Sequence, residues 1–231
     1  NNMMNIDIGI IHFERLFLLK KTIKSLLPLV KCLKANKFKV NLIICDDSYN
    51  STTINSVVKL CSENGIKYFH TGGKKGLSCN NNLLLKNSFS ELLFHIQDDF
   101  ILDTTPESML KLIVEFIKSK SIMLRFYDVD SKRRFFDYSD TPHLKKKCFH
   151  NKIGYYPENI PMHKAELKMK SLCINEFKSS SLIYSEFDYF IHKGEDYTFN
   201  PINKRDKILN KLFLLKPYHN LSKFIKWLLG L

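Results

Sequence analysis

Three short segments carry side chains suited to chemistry. Asp46-Asp47-Ser48 follows the apolar run Val40 to Cys45, and Gln97-Asp98-Asp99 follows Leu92 to Ile96. Between them stands Gly72-Gly73-Lys74-Lys75-Gly76, followed by Leu77-Ser78-Cys79-Asn80-Asn81-Asn82. Adjacent carboxylates after a buried strand cannot enter a core unpaired. Asp46 or Asp47 can accept from a base N–H or a ribose hydroxyl; the plainer reading makes Asp47 or Ser48 the cap of the next helix. In an extended chain, positions 97 and 99 point the same way. A carboxylate at Asp99, with diphosphate oxygens and water, suits Mg²⁺ or Mn²⁺; the plainer reading is again a capping cluster. Glycines, lysines and a following helix favour an anion, or else form an ordinary loop. The GxxxxGK(S/T) spacing of a P-loop is absent.

These segments need elements to hold them. Ile6 to Phe13, Val40 to Cys45, Ile66 to Phe69, Leu92 to Ile96 and Ile122 to Tyr127 read as strands. Leu16, Leu19, Ile23, Leu26, Leu27 and Val30 recur at helical spacing, as do Met109, Leu112, Ile113, Phe116 and Ile117. Residues 52–64 and a stretch beginning at Leu77 complete the helices, and Thr105-Pro106-Glu107 signals a helix start. Strands alternating with helices predict an α/β fold with a doubly wound, mostly parallel sheet. In such sheets ligands bind where the strands end, which is where all three segments fall. Beyond residue 127 the pattern becomes irregular. A short helix over 162–173 and a strand over Tyr184 to Ile191 are the readable elements.

The segments 8–26 (IGIIHFERLFLLKKTIKSL), 44–50 (ICDDSYN), 75–82 (KGLSCNNN) and 95–100 (HIQDDF) together resemble family 2-type glycosyltransferases of the GT-A fold. The resemblance covers about residues 5–127 and is loose beyond. It implies a single GT-A-like catalytic domain over 1–203, with a nucleotide-binding half to 127 and an acceptor half from 128. On the match, His12 and Arg15 follow the first strand, and Asp46 and Asp47 contact base and ribose. Lys75, Gly76 and Asn82 belong to the glycine-rich segment, and Gln97, Asp98 and Asp99 stand for the Asp-x-Asp metal motif. Gln97 departs from that motif, which shifts the metal to Asp99, with Asp98 second. Asn81 departs from the family's basic residue, leaving Lys74, Lys75 or Arg15 to supply charge. Asp128-Val129-Asp130 is a literal Asp-x-Asp, but the order of segments favours 97–99.

The same resemblance implies a general base and a further metal ligand in the second half. Glu166 on the 162–170 segment ranks first as base, with Glu158 and Asp196 as rivals. His192 in His192-Lys193-Gly194 is the candidate for touching metal or diphosphate; the plainer reading is a packed or surface histidine. The implied activity is metal-dependent, inverting transfer from a nucleotide-sugar donor, UDP most often, to a glycan or lipid-linked hydroxyl, as in surface polysaccharide synthesis.

Composition sets the remaining bounds. The 231 residues carry a formal net charge of +13 and 44% hydrophobic residues. That charge suits an anionic partner. From Lys204 to Leu231 there are seven Lys/Arg against Asp206 alone. Leu221, Phe224, Ile225, Leu228 and Leu229 form an apolar stripe among those bases, which reads as an interfacial amphipathic tail on an anionic membrane, or as a docking segment. Six cysteines without a CxxC pair suggest a reducing compartment and no zinc site. The start of the chain lacks signal-peptide character. The expected location is cytoplasmic, peripheral on the membrane's cytoplasmic face. A nucleic-acid-binding protein would not need acidic strand ends, and Arg133-Arg134-Phe135-Phe136 is the one basic–aromatic cluster. A nucleotidyltransferase or a non-catalytic relative on the same scaffold is a further alternative, opposed by the glycine-free His12-Phe13-Glu14-Arg15.

Overall fold

β1 (Asn5–His12) is buried along almost its whole length, with Ile6, Ile8 and Ile10 fully enclosed. A strand covered on both faces belongs at the centre of a parallel sheet. β1 pairs in parallel with β2 (Lys39–Asp46) on one side and β4 (Leu92–Gln97) on the other. β3 (Lys67–His70) extends the sheet beyond β2, also in parallel. The computed structural model describes residues 3–126, 136–185 and 188–194.

Helices make the crossovers. α1 (Leu16–Ala35) buries Leu18, Leu19, Ile23, Leu26, Leu29, Val30 and Leu33. α2 (Ser51–Asn64) is capped by Asn50, whose side chain accepts from Thr52 N at 2.9 Å, and it stops at Gly65 in the left-handed region. α3 (Leu77–Asn87) lies directly on β1: a Cβ on Gly9 would come within 2.4 Å of Leu84 side-chain carbons. Each fully buried aliphatic side chain in this core contributes about 1.5–3 kcal/mol.

The sheet is mostly parallel, as expected, but an unforeseen antiparallel strand enters it beyond β4. After β5 (Phe100–Leu102) and α4 (Pro106–Lys118) comes β6 (Met123–Arg125), the fifth expected strand. It does not join β4. β7 (His143–Lys146) inserts between them, antiparallel to both, giving the order β3-β2-β1-β4-β7-β6-β8. The sequence HLKK of β7 hides a strand because its buried positions include His143 and Lys145. α5 (Cys148–Ile153) follows, and the helix expected over 162–173 is α6 (Met162–Glu176). The single strand expected over 184–191 is two short ones. β8 (Leu182–Tyr184) pairs with β6, and β9 (Phe190–His192) pairs antiparallel with β5 in a separate two-stranded sheet. Among the described residues no helix is long and apolar enough to cross a membrane.

Candidate functional site

Strand register assembles the site. His12 pairs with Asp46, and Ile11 pairs with Gln97, so the ends of β1, β2 and β4 stand side by side. The chain turns immediately after Gln97. The alternation of an extended segment therefore stops there, and Gln97 is engaged elsewhere: its Nε2 donates to the Asp140 carbonyl at 3.2 Å.

Asp98 is fully buried and fully engaged. His12 Nδ1 lies 2.6 Å from its Oδ2, Phe13 N donates to the same oxygen at 3.2 Å, and Arg15 bonds Oδ1. Its backbone carbonyl accepts from Thr22 Oγ1 at 2.7 Å. Asp99 differs. Its Oδ2 accepts from Arg15 Nη1 at 2.8 Å and stands 3.3 Å from His192 Nε2, while its Oδ1 is buried with no partner. Burial pushes the Asp99 carboxyl up, but hydrogen bonds and charge from His192 and Arg15 outweigh it and hold the group below its usual range. β9 delivers His192: Lys193 N donates to the Asp99 carbonyl at 2.8 Å, and the imidazole stacks on Phe100 at 4.6 Å.

Among the described residues no three His, Cys, Asp or Glu side chains converge. A structural metal cage is thus absent from them. Asp99 with His192 nevertheless fits a catalytic divalent cation, which commonly takes few protein ligands and completes its shell with substrate oxygens and water. The orphaned Oδ1 is the observation that supports this fit, because a buried carboxylate oxygen without a partner is costly.

The Asp46-Asp47 pair is not a helix cap for α2, since Asn50 takes that role. Asp46 accepts from Ser48 N at 2.8 Å and Tyr68 Oη at 2.9 Å. Asp47 binds the glycine loop: Oδ1 accepts from Lys75 N at 2.8 Å and from Thr71 Oγ1, and Oδ2 accepts from Gly76 N at 2.7 Å. A protein carboxylate thus already faces the start of α3, where sequence reasoning placed an external anion. Gly73 is required in this loop. Its φ is 86°, and a Cβ there would meet the Ser48 carbonyl oxygen at 2.9 Å.

Three consecutive asparagines in the first half of α3 reach three different segments of the chain. Asn80 Nδ2 donates to the His12 carbonyl at 3.0 Å, and Asn81 Nδ2 to Asp140 Oδ2 at 2.9 Å. Asn82 Nδ2 donates to Glu158 Oε1 at 2.7 Å and to the Tyr156 carbonyl at 2.9 Å. Glu166 on α6 accepts from Asp140 N at 3.1 Å. Glu158 is therefore tied to the donor half through Asn82, and Glu166 through Asp140, which in turn bonds Asn81 and Gln97. Lys75 is exposed on the loop. Asp196, Asp128-Val129-Asp130, Arg133-Arg134 and the tail 204–231 lie outside the described residues.

Sequence reasoning missed Phe13, Tyr49 and Asp140. Phe13 and Tyr49 approach at 6.1 Å between centroids, and Lys74 Nζ sits 3.7 Å over the Tyr49 ring. Glu14 fixes this corner by accepting from Tyr49 N and Asn50 N at 2.7 and 2.8 Å. For Phe13 and Tyr49 the available signal was an aromatic residue within three positions of a strand end.

Solved structures place this architecture. The chain is similar to the mannosyltransferase PcManGT from Pyrobaculum calidifontis in complex with GDP-Man and Mn²⁺, at TM-score 0.64 and 8% identity, over 84% of this chain and 58% of that one. It is similar to S. aureus TarS residues 1–349 at TM-score 0.58 and 14% identity, over 83% and 61%. Glucosyl-3-phosphoglycerate synthase from Mycobacterium tuberculosis, bound to Mn²⁺, UDP and glucosyl-3-phosphoglycerate, matches at TM-score 0.59 and 11% identity, over 82% and 72%. The fold is that of the GT-A nucleotide-sugar glycosyltransferases. The chain spans about three fifths of the length of the first two. No protein-family model and no curated protein sequence matches it.

Proposed function

We propose that this chain is a metal-dependent glycosyltransferase that moves a sugar from a nucleoside diphosphate to an acceptor hydroxyl, with inversion at the anomeric carbon. The unpartnered Asp99 Oδ1, buried beside Arg15 and His192 at the end of β4, carries the reading. A divalent cation bound by Asp99 and His192 would supply the positive charge that a departing diphosphate needs.

The chain's own residues do the rest. Phe13 and Tyr49 would contact the nucleobase, beside an Asp46 that is enclosed and held by Ser48 N and Tyr68 Oη. Lys74, Lys75 and Arg15 add positive charge near the diphosphate. Arg15 also fixes the orientation of Asp99 through its two-pronged contact with Asp98 and Asp99. Glu166 is the first candidate to take the acceptor's proton as its oxygen bonds the anomeric carbon and the bond to the diphosphate breaks. Glu158 is the alternative among the described residues, and Asp196 a third. A UDP donor, a glycan or lipid-linked acceptor, and attachment to an anionic membrane through residues 204–231 complete the proposal. The similar structures in complex with UDP-GlcNAc, with UDP and Mn²⁺, and with GDP-Man and Mn²⁺ support the donor class.

Thermal denaturation with UDP-glucose, UDP-GlcNAc and GDP-mannose, with and without Mn²⁺, tests the proposal. Stabilisation by at least one donor that needs Mn²⁺ and disappears in Asp99→Ala is expected. No stabilisation by any donor would sink it.

A further inference from the structure

Asp140 is 4% exposed and stands where three parts of the site meet. Its Oδ2 accepts from Asn81 Nδ2 at 2.9 Å, which ties it to the helix behind the glycine loop. Its Oδ1 accepts from the hydroxyls of Tyr138 at 3.1 Å and Tyr156 at 3.3 Å, with His95 Nε2 at 3.5 Å. Its backbone serves both flanks. The N–H donates to Glu166 Oε1 at 3.1 Å, and the carbonyl accepts from Gln97 Nε2 at 3.2 Å. One residue thus bonds α3, the end of β4 and α6.

A carboxylate buried this deeply costs free energy unless several donors satisfy it. Burial does push the Asp140 carboxyl up, against the hydrogen bonds from Asn81 and the tyrosines and the charge of Lys145. A turn that only needed packing could be built from apolar residues.

We propose that Asp140 is a positioning residue. Its side chain, anchored on Asn81, fixes the backbone N–H that holds Glu166 in place relative to the Gln97-Asp98-Asp99 turn. The inference rests on the reading of Glu166 as the base for its role in catalysis, but not for the geometry. Asn81 sharpens the test because its Oδ1 is buried without a partner. The pair can therefore exchange its amide and carboxylate: an aspartate at 81 can accept from an asparagine at 140, whose oxygen still faces both tyrosines.

The experiment compares wild type, Asn81→Asp, Asp140→Asn and the double exchange. Two readouts are used: hydrogen exchange at the residue 140 amide, corrected for intrinsic rate, and turnover of the best donor among UDP-glucose, UDP-GlcNAc and GDP-mannose with Mn²⁺. Asn81→Asp sets two carboxylates against each other. It is expected to speed exchange at the Asp140 amide at least about tenfold and to lower kcat about 10- to 100-fold, with donor KM changed less than about threefold. The double exchange is expected to restore a clear part of both, short of wild type because the second oxygen of an aspartate at 81 has no donor. Recovery no better than in Asn81→Asp overturns the proposal, as does an Asp140 amide indifferent to residue 81. A kcat loss that merely tracks Tm and donor KM overturns it too. If wild type turns over no donor, the glycosyl-transfer reading fails, and the amide exchange still decides the positioning.

Discussion

Arg15 Nη1 bonds Asp99 Oδ2 at 2.8 Å and leaves Asp99 Oδ1 buried and unpaired. A guanidinium that engaged both carboxylate oxygens of Asp99 would close the site. Sharing its fork between Asp98 and Asp99 instead keeps one oxygen available while holding the side chain still.

Asp99→Asn retains the shape but removes the charge of the proposed cation ligand. Mn²⁺ binding in the presence of UDP, followed by electron paramagnetic resonance, should weaken at least about tenfold. Donor turnover should fall on the order of 10²–10³-fold. Unchanged Mn²⁺ affinity would move the metal away from this residue.

Arg15→Ala leaves two buried carboxylates without their shared cation. A loss of about 3 kcal/mol in urea unfolding is expected. Arg15→Lys should recover only part, since an ammonium cannot span both acids. Full recovery by lysine would show that charge alone, not the fork, matters.

Gly9→Ala places a methyl group against Leu84, and an overpacking cost of about 1–3 kcal/mol is expected. The cost should be strongly non-additive with Leu84→Ala, because the two changes share one space. Additive losses in denaturant midpoints would place the strain elsewhere.

Lys145 is fully enclosed, and burial pulls its amine down to about 7, against the opposing charge of Asp140. The unfolded chain keeps that proton to about 10.4. Between those values unfolding takes up a proton, so raising pH favours the folded state. The stability of wild type relative to Lys145→Met should therefore rise from pH 7 to pH 10. A flat difference in Tm across that range would mean the amine stays charged when folded.

The donor half was legible because its strands are apolar and its functional residues fall at strand ends. VNLIIC announces β2, and Asp46 follows from the register that pairs it with His12. The acceptor half was not, because β7 carries His143 and Lys145 inward, and no apolar period marks it. The roles of Asp47 and Asn82 were also hidden. Both belong to recognisable segments, yet both bond other parts of the protein, a choice settled by tertiary contacts rather than by local pattern. Asp140 had no local signal, since its meaning lies in Asn81, 59 positions earlier.

Asp47 grips the amides of Lys75 and Gly76 and the hydroxyl of Thr71 through hydrogen bonds made wholly within the protein. The loop is therefore shaped in advance, and a donor meets a surface whose backbone freedom has already been given up. Calorimetry of UDP binding should show only a small entropic penalty. Asp47→Ala should enlarge that penalty and slow association, because each encounter would first have to find the loop in its competent shape.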